Sequence, residues 1–214
     1  MNVTAPYCFS PPAVPVGSQR GLSLIELMMG LAIMALILFS GIPSFSGWIQ
    51  NQQLRSNAEQ LTSGLQLARA EAVKRNTPVE FVITDDDTAP SNVNSVDALV
   101  TGHSWVVRYL DTSITPNAYV FVQGHSGFEN TGKKSTTAGA APNVGVSGNV
   151  GSVTFNGFGR TSLGSQATFN MTNPTGGACA PTGAVRCLNV TVSTFGQIRM
   201  CDPAITAIGD SRAC

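Results

Sequence analysis

Residues 21–42 read GLSLIELMMGLAIMALILFSGI. From Leu22 to Ile42 these are 21 residues with one charge, Glu26. That length of apolar sequence is enough to span a bilayer as a helix. A carboxylate within such a run costs about 2.5–3.5 kcal/mol at mid-membrane and less near an interface. An acid kept there against that cost points to a task for it.

Outward from this stretch, three positions interrupt the membrane helix: Gly30, Gly41 and Pro43. Glycines allow helices to approach closely in lipid. Pro43 removes a backbone donor and blocks the carbonyl one turn earlier, so a kink is predicted there. Beyond it, Leu54, Ala58, Leu61, Leu65, Ala68 and Ala72 recur at spacings of four and three, one apolar stripe of a 3.6-residue period. Arg55, Asn57, Glu59, Gln66, Arg69, Glu71 and Lys74 lie between them, and Arg55/Glu59 and Glu71/Arg75 are spaced to pair along a helix. Pro78 ends the helix. Run without a break from Leu22 to Arg75, it would be roughly 80 Å long.

After residue 78 the pattern changes to strands. VEFVIT (79–84), SWVVRYL (104–110) and AYVFVQ (118–123) are rich in β-branched and aromatic residues. Residues 153–156 and 167–171 are shorter candidates, and 187–193 with 197–201 flank a Phe195-Gly196 turn as a hairpin. Residues 85–102 and 129–151 are polar and rich in small residues, which predicts mobile loops. The expected fold is α+β: a long N-terminal helix whose amphipathic half packs on one mostly antiparallel sheet.

The motif Gly21-Leu22-Ser23-Leu24-Ile25-Glu26, followed by the apolar run and Pro43, resembles the processing site of type IV prepilins and type II secretion pseudopilins. The resemblance implies that a membrane prepilin peptidase cuts between Gly21 and Leu22 and that the new amino terminus is methylated. Leu22 replaces the family's usual phenylalanine. Residues 1–21 are then a leader, 22–43 a transmembrane and assembly helix, 44–77 its amphipathic continuation, and 78–214 a β-rich periplasmic domain. The resemblance also implies a single-pass inner-membrane protein that later joins a filament with other major and minor pilins or pseudopilins. Cleavage frees an amine at Leu22, and a buried amine and a buried carboxylate each need a partner. Glu26 is expected to accept that amine, from its own or a neighbouring subunit, and so to set register during assembly. A protein that stays anchored with the Gly21–Leu22 bond intact is the rival of another class.

SGLQLARAEAVKRNTPV (63–79), Arg186-Cys187-Leu188 and GQIRMCDP (196–203) with the closing Arg212-Ala213-Cys214 are similar to the GspH/FimT minor pilins. That likeness implies a structural subunit of a type IV pilus or type II secretion pseudopilus. Some members of the FimT branch bind DNA through basic residues around a Gly-Arg-x-Arg motif. Here the motif reads Gly196-Gln197-Ile198-Arg199, with one arginine replaced. Arg160, Arg186, Arg199 and Arg212 remain as DNA candidates, against Asp202 and Asp210. The competing expectation is that they cap turns and pair with those two acids.

Four cysteines survive loss of the leader, which takes Cys8: Cys179, Cys187, Cys201 and Cys214. A clustered, even set in an exported domain predicts two disulfides. Cys179–Cys187 with Cys201–Cys214 closes two short loops, and Cys187–Cys201 is the main rival. No CxxC pair occurs, which disfavours zinc. Asp85-Asp86-Asp87 lacks the alternate spacing of a calcium loop. His103 and His125 stand alone in sequence and are expected in turns or at the surface. No phosphate-binding loop, HExxH or GxSxG is present, so neither an enzyme nor a cofactor is expected. The chain has 12 Lys and Arg against 12 Asp and Glu, and loss of Arg20 with the leader leaves it one negative charge. That balance disfavours a strongly electrostatic nucleic-acid binder.

Overall fold

The computed structural model describes residues 21, 23–113, 116–126, 144–173 and 176–214, with side chains outside 38–46. The leader 1–20, Leu22 and most of the 129–151 loop lie outside the described residues. The chain divides into two units between Ile42 and Pro43.

One helix, α1 (Leu24–Arg75), is continuous in backbone assignment across Pro43. The predicted kink falls where side chains are outside the described set. Among the described residues no helix is long and apolar enough to cross a membrane; the span expected over 22–42 includes Leu22 and residues 38–42. The helix closes at Asn76, whose φ is 50°. The amide of Asn76 donates to Val73 O at 3.3 Å and that of Thr77 to Ala72 O at 3.3 Å. This paired closure with a left-handed residue is a Schellman cap, with asparagine in the place usually taken by glycine. Pro78 then prevents the helix from resuming.

Among the described residues nine strands follow: β1 (Val79–Thr84), β2 (Thr101–Gly102), β3 (Ser104–Asp111), β4 (Ala118–His125), β5 (Gly145–Gly148), β6 (Ser152–Phe155), β7 (Ala167–Thr172), β8 (Leu188–Val192) and β9 (Ile198–Cys201). They form two sheets where one was expected. The first has order β4-β3-β1-β6 and the second β2-β5-β7-β8-β9. All strand pairs in both are antiparallel. Strands β2 and β5 are short and glycine-bearing, which hid them in a polar stretch and with them the second sheet's outer half.

The predicted stripe is the core-facing side of α1: Leu54, Ala58, Leu61, Leu65, Ala68 and Ala72 have no exposed surface. Each buried leucine contributes about 1.5–3 kcal/mol. Beneath them Phe81 of β1 stacks on Trp105 of β3 with ring centres 5.5 Å apart, and meets Phe169 of β7 edge-on at 6.5 Å. Phe81 thus joins both sheets under the helix. Asn57, placed by sequence on the polar side, is also fully buried.

The first sheet is covered on its other face too. Val82 and Val106 pack there against Val93 and Val96 from the segment 85–103. That segment, expected to be mobile, is a tethered strap. Arg108 is buried on β3, pairs with Glu80 at 3.0 Å, and donates to Val93 O at 2.8 Å and Val96 O at 3.1 Å. The Tyr119 ring lies 4.0 Å from its guanidinium carbon. Asp86 Oδ2 accepts the Asp97 amide at 3.1 Å, and Asp85 Oδ1 accepts the His103 amide at 2.9 Å. The acidic triplet therefore spends its oxygens on the strap's own backbone.

At Gly64 α1 lies directly against the aromatic rings of the sheets. A Cβ there would come within 2.9 Å of Phe81 Cε2 and 3.0 Å of Trp105 Cη2. Gly64→Val is expected to cost about 1–3 kcal/mol of stability by overpacking. Gly64→Ala should cost less, because alanine gains about 1 kcal/mol of helix propensity over glycine. Thermal unfolding of both variants checks this; a valine variant as stable as the wild type would show that the rings yield freely.

Candidate functional site

Two regions carry the residues singled out by sequence: the start of α1 and the C-terminal disulfide region.

At the first, the Leu27 amide donates to Ser23 O at 3.1 Å, so Ser23 supplies the first acceptor of the helix. Glu26 is then in the first turn, where a carboxylate is favoured by the unpaired amides and the helix dipole. The spacing Ser23-x-x-Glu26 is that of a capping box, a local signal the membrane reading overlooked. Gly21 is exposed, and a Cβ added to it would meet nothing within 4 Å. Among the described residues nothing packs against that position. Leu22 lies outside the described residues. From Leu24 to Leu36 the helix exposes apolar side chains on every side, including Leu24 at 78%, Met28 at 63% and Leu36 at 73%. A helix apolar all round is suited to lipid or to other apolar helices rather than to water.

In the second region the disulfides are Cys179–Cys187 and Cys201–Cys214. The first closes a loop tied to α1: Asn51 Oδ1 accepts the Arg186 amide at 2.8 Å, and Asn51 Nδ2 donates to Ala184 O at 3.4 Å. The second fastens the chain end beside β9, where the Asp202 amide donates to Arg212 O at 2.7 Å.

The four arginines divide between two places. Arg199 donates through Nη2 to Ser211 O at 3.0 Å and Ala213 O at 2.6 Å, holding the terminal segment. Arg212 grips Asp210 through Nε at 3.1 Å and Nη2 at 2.8 Å. Arg186 reaches Asp202 at 4.0 Å. Arg160 lies instead beside the β8–β9 turn, its guanidinium 4.9 Å from the centre of the Phe195 ring. Arg199 and Arg212 are thus hydrogen-bonded to carbonyls or a carboxylate around the C-terminal loop, Arg186 is mostly exposed beside Asp202, and Arg160 is at the opposite end of the β8–β9 hairpin.

The histidines are less isolated than sequence suggested. His103 Nδ1 lies 2.7 Å from Asp85 Oδ1, and the His125 ring stacks on Trp105 at 6.0 Å. Among the described residues no group of three or more His, Cys, Asp or Glu is placed to hold a metal ion.

The Arg212 side chain, aided by its backbone amide, pushes the Asp210 carboxyl down to about 2. A folded value below the unfolded one means stabilisation that is full above the ordinary aspartate range and is lost as pH falls from about 4 towards 2. An NMR titration of Asp210 should give a midpoint near about 2. Arg212→Ala should move it up towards the ordinary value near 3.9, but only partly, since the amide remains. An ordinary midpoint in the wild type would show that the pair does not form in solution.

The Type II transport protein GspH family matches residues 57–196, from the helix stripe to the β8–β9 turn. The prokaryotic N-terminal methylation motif matches residues 17–41. The GspH match stops short of Gln197, so the Cys201–Cys214 segment lies beyond it. A search of the curated proteins returns no match. Among solved structures, the type IV minor pilin FimU of Pseudomonas aeruginosa is 18% identical, over 72% of this chain and 91% of that one, with a TM-score of 0.47. The minor pseudopilin EpsH from the Type 2 Secretion System of Vibrio cholerae is 12% identical, over 72% and 99%, with a TM-score of 0.44. Escherichia coli GspH is 14% identical, over 73% and 92%, with a TM-score of 0.43. With the match running from Asn57 of α1 through the first sheet, the first disulfide loop and the second sheet as far as the β8–β9 turn, this chain belongs to the GspH family of type II secretion pseudopilins, which are structural proteins and not enzymes.

Proposed function

We propose that this chain is a minor pseudopilin cut between Gly21 and Leu22 by a prepilin peptidase, methylated on its new amino terminus, and taken from the inner membrane into a type II secretion pseudopilus. There it takes part in assembly or priming, with residues 44–214 on the periplasmic side. The observation that carries this is the helix start: an apolar surface on every side from Leu24 to Leu36, with Glu26 as the one carboxylate in the first turn. Cleavage places the Leu22 amine one residue before Ser23, the first helical acceptor. Glu26 is then four residues from that amine in its own chain and reachable from a neighbour's. Away from water the attraction between the two charges is stronger, although desolvation takes much of it back. The pair acts chiefly as a register device.

A type IV pilus role rests on the same anchor. A DNA-uptake role rests on the arginines, and the hydrogen bonds of Arg199 and Arg212 within the chain favour the secretion reading over it.

Mass spectrometry of the protein from membranes should find a chain beginning at Leu22 with one added methyl group. An intact residue 1–21 segment would overturn the reading. Glu26→Ala should still be cleaved but should enter filaments at least tenfold less well, which corresponds to about 1.4 kcal/mol. Normal incorporation would remove Glu26 from assembly.

A further inference from the structure

Before α1 reaches its buried stripe at Leu54, it exposes two large side chains, Ile49 and Trp48, the latter at 62%. The stretch 43–58 around them carries Arg55 and no acid. Trp48 stands six residues past Ile42, the last residue of the apolar run. Six residues of helix rise about 9 Å. The polar layer of a bilayer adds about 5–8 Å to each side of its hydrocarbon core. Side chains on a helix lean toward its N-terminal end, here the end that leads into the apolar run. The indole is thereby brought within the polar layer. Tryptophan suits that depth, with an apolar ring and one N–H that can stay in polar surroundings.

A second element is held at nearly the same level. Asn51, one turn after Trp48, binds the Cys179–Cys187 loop through the Arg186 amide and the Ala184 carbonyl. The loop is braced by its disulfide and by the Ala180 amide, which donates to Val185 O at 2.7 Å. Ala178, Pro181, Ala184 and Arg186 are exposed on it. The surface is therefore rigid, so little ordering entropy opposes a contact made through it.

The charge this surface shows is positive. Residues 174–200 carry Arg186 and Arg199 and no acid. Asp202 lies 4.0 Å from Arg186, but its side chain is only 11% exposed against 71% for the arginine. Asp202 Oδ1 also accepts the Ala204 amide at 2.8 Å. The guanidinium, rather than the carboxylate, faces outward. Asp210 is paired with Arg212 at 2.8 Å, so those two charges offset each other.

Asn51, and with it the loop, stands nine residues past Ile42. That is about 13 Å of helix, or some 5–8 Å beyond the polar layer. A charge at that height is still inside the roughly 8–10 Å over which physiological salt leaves an anionic surface felt. A lipid surface is the partner that the chain itself keeps within reach, because the apolar run that enters it is covalently joined to Trp48. A tethered contact is populated at strengths that would not bind from solution.

We propose that Trp48 and the Cys179–Cys187 loop with Arg186 form a contact surface for anionic lipid headgroups, which holds the globular part against the bilayer while the chain is membrane-held. Trp48 fixes the depth, and Arg186 supplies the attraction to the headgroups. The proposal rests on the reading of residues 22–42 as a membrane anchor. It does not rest on cleavage at Gly21 or on the Leu22–Glu26 pair.

The test uses the full chain reconstituted into phosphatidylcholine vesicles with and without phosphatidylglycerol, and flotation with the vesicles reports the anchor. The chain has two tryptophans, and Trp105 is buried, so Trp48→Phe isolates the signal of Trp48. Lipids brominated near the headgroup should quench Trp48 about twofold, and lipids brominated at the chain ends much less. A photoreactive benzophenone amino acid in place of Ala184 should form phospholipid adducts, in greater yield with phosphatidylglycerol. Arg186→Gln should lower that yield about fivefold, and Arg186→Lys should keep most of it. Unchanged Trp105 emission shows that each variant folds. In a chain that floats, an unquenched Trp48, no lipid adduct at position 184, or adducts indifferent to phosphatidylglycerol and to Arg186→Gln would each overturn the proposal and leave the anchor standing. A chain that does not float would overturn the anchor and the proposal with it.

Discussion

The approach of α1 to the aromatic floor at Gly64 is the constraint on which the rest of the globular part depends. Phe81 belongs to the first sheet and touches Phe169 of the second, and both lie under one helix face. Any side chain larger than hydrogen at position 64 meets those rings. Because the helix settles so low, a stripe made partly of alanines suffices: Ala58, Ala68 and Ala72 are fully buried. Small residues on a helix are useful only where the opposing surface is close. The glycine and the alanines are thus one arrangement, and the buried aromatic rings Phe81, Trp105, Phe155 and Phe169 sit in the sheets.

A sheet held that tightly on one face still needs cover on the other, and here the chain departs from the usual alternation of strand residues. β3 reads SWVVRYLD with five consecutive buried positions. Trp105 and Val107 face the helix side, and Val106 and Arg108 face the strap. Burying Arg108 would be costly if it were isolated. Glu80 on the neighbouring strand, two strap carbonyls and the Tyr119 ring supply its partners. Replacing one member of such a cluster leaves the others unpaired, so it holds the strap more firmly than two valines could alone.

This accounts for what was legible in the sequence and what was not. The helix stripe was plain because its period is long and regular, and the boundaries of β1, β3 and β7 fell within a residue of those observed. The strap was misread as mobile because its composition is that of a loop. Its anchoring depends on Val93 and Val96 meeting Val82 and Val106, contacts between segments that composition does not reveal. The split into two sheets was hidden for the same reason, since β2 and β5 are too short to show a period. At the site, the Ser23-x-x-Glu26 spacing was present in the sequence but was read only as an acid in a membrane run. The engagement of Arg199 with the carbonyls of residues 211 and 213 follows from the Cys201–Cys214 loop and could not precede knowledge of that pairing.

The two halves of the molecule place different demands on assembly. A helix that is apolar on every side has little preference among apolar neighbours, and in lipid no hydrophobic gain distinguishes a correct helix pair from contact with acyl chains. Direction, order and register must then come from polar features. At the start of α1 there is one among the described residues, Glu26, and a single charge cannot choose among partners that share the same anchor. Choice among partners has to come from the globular part, where contacts can be polar and directional.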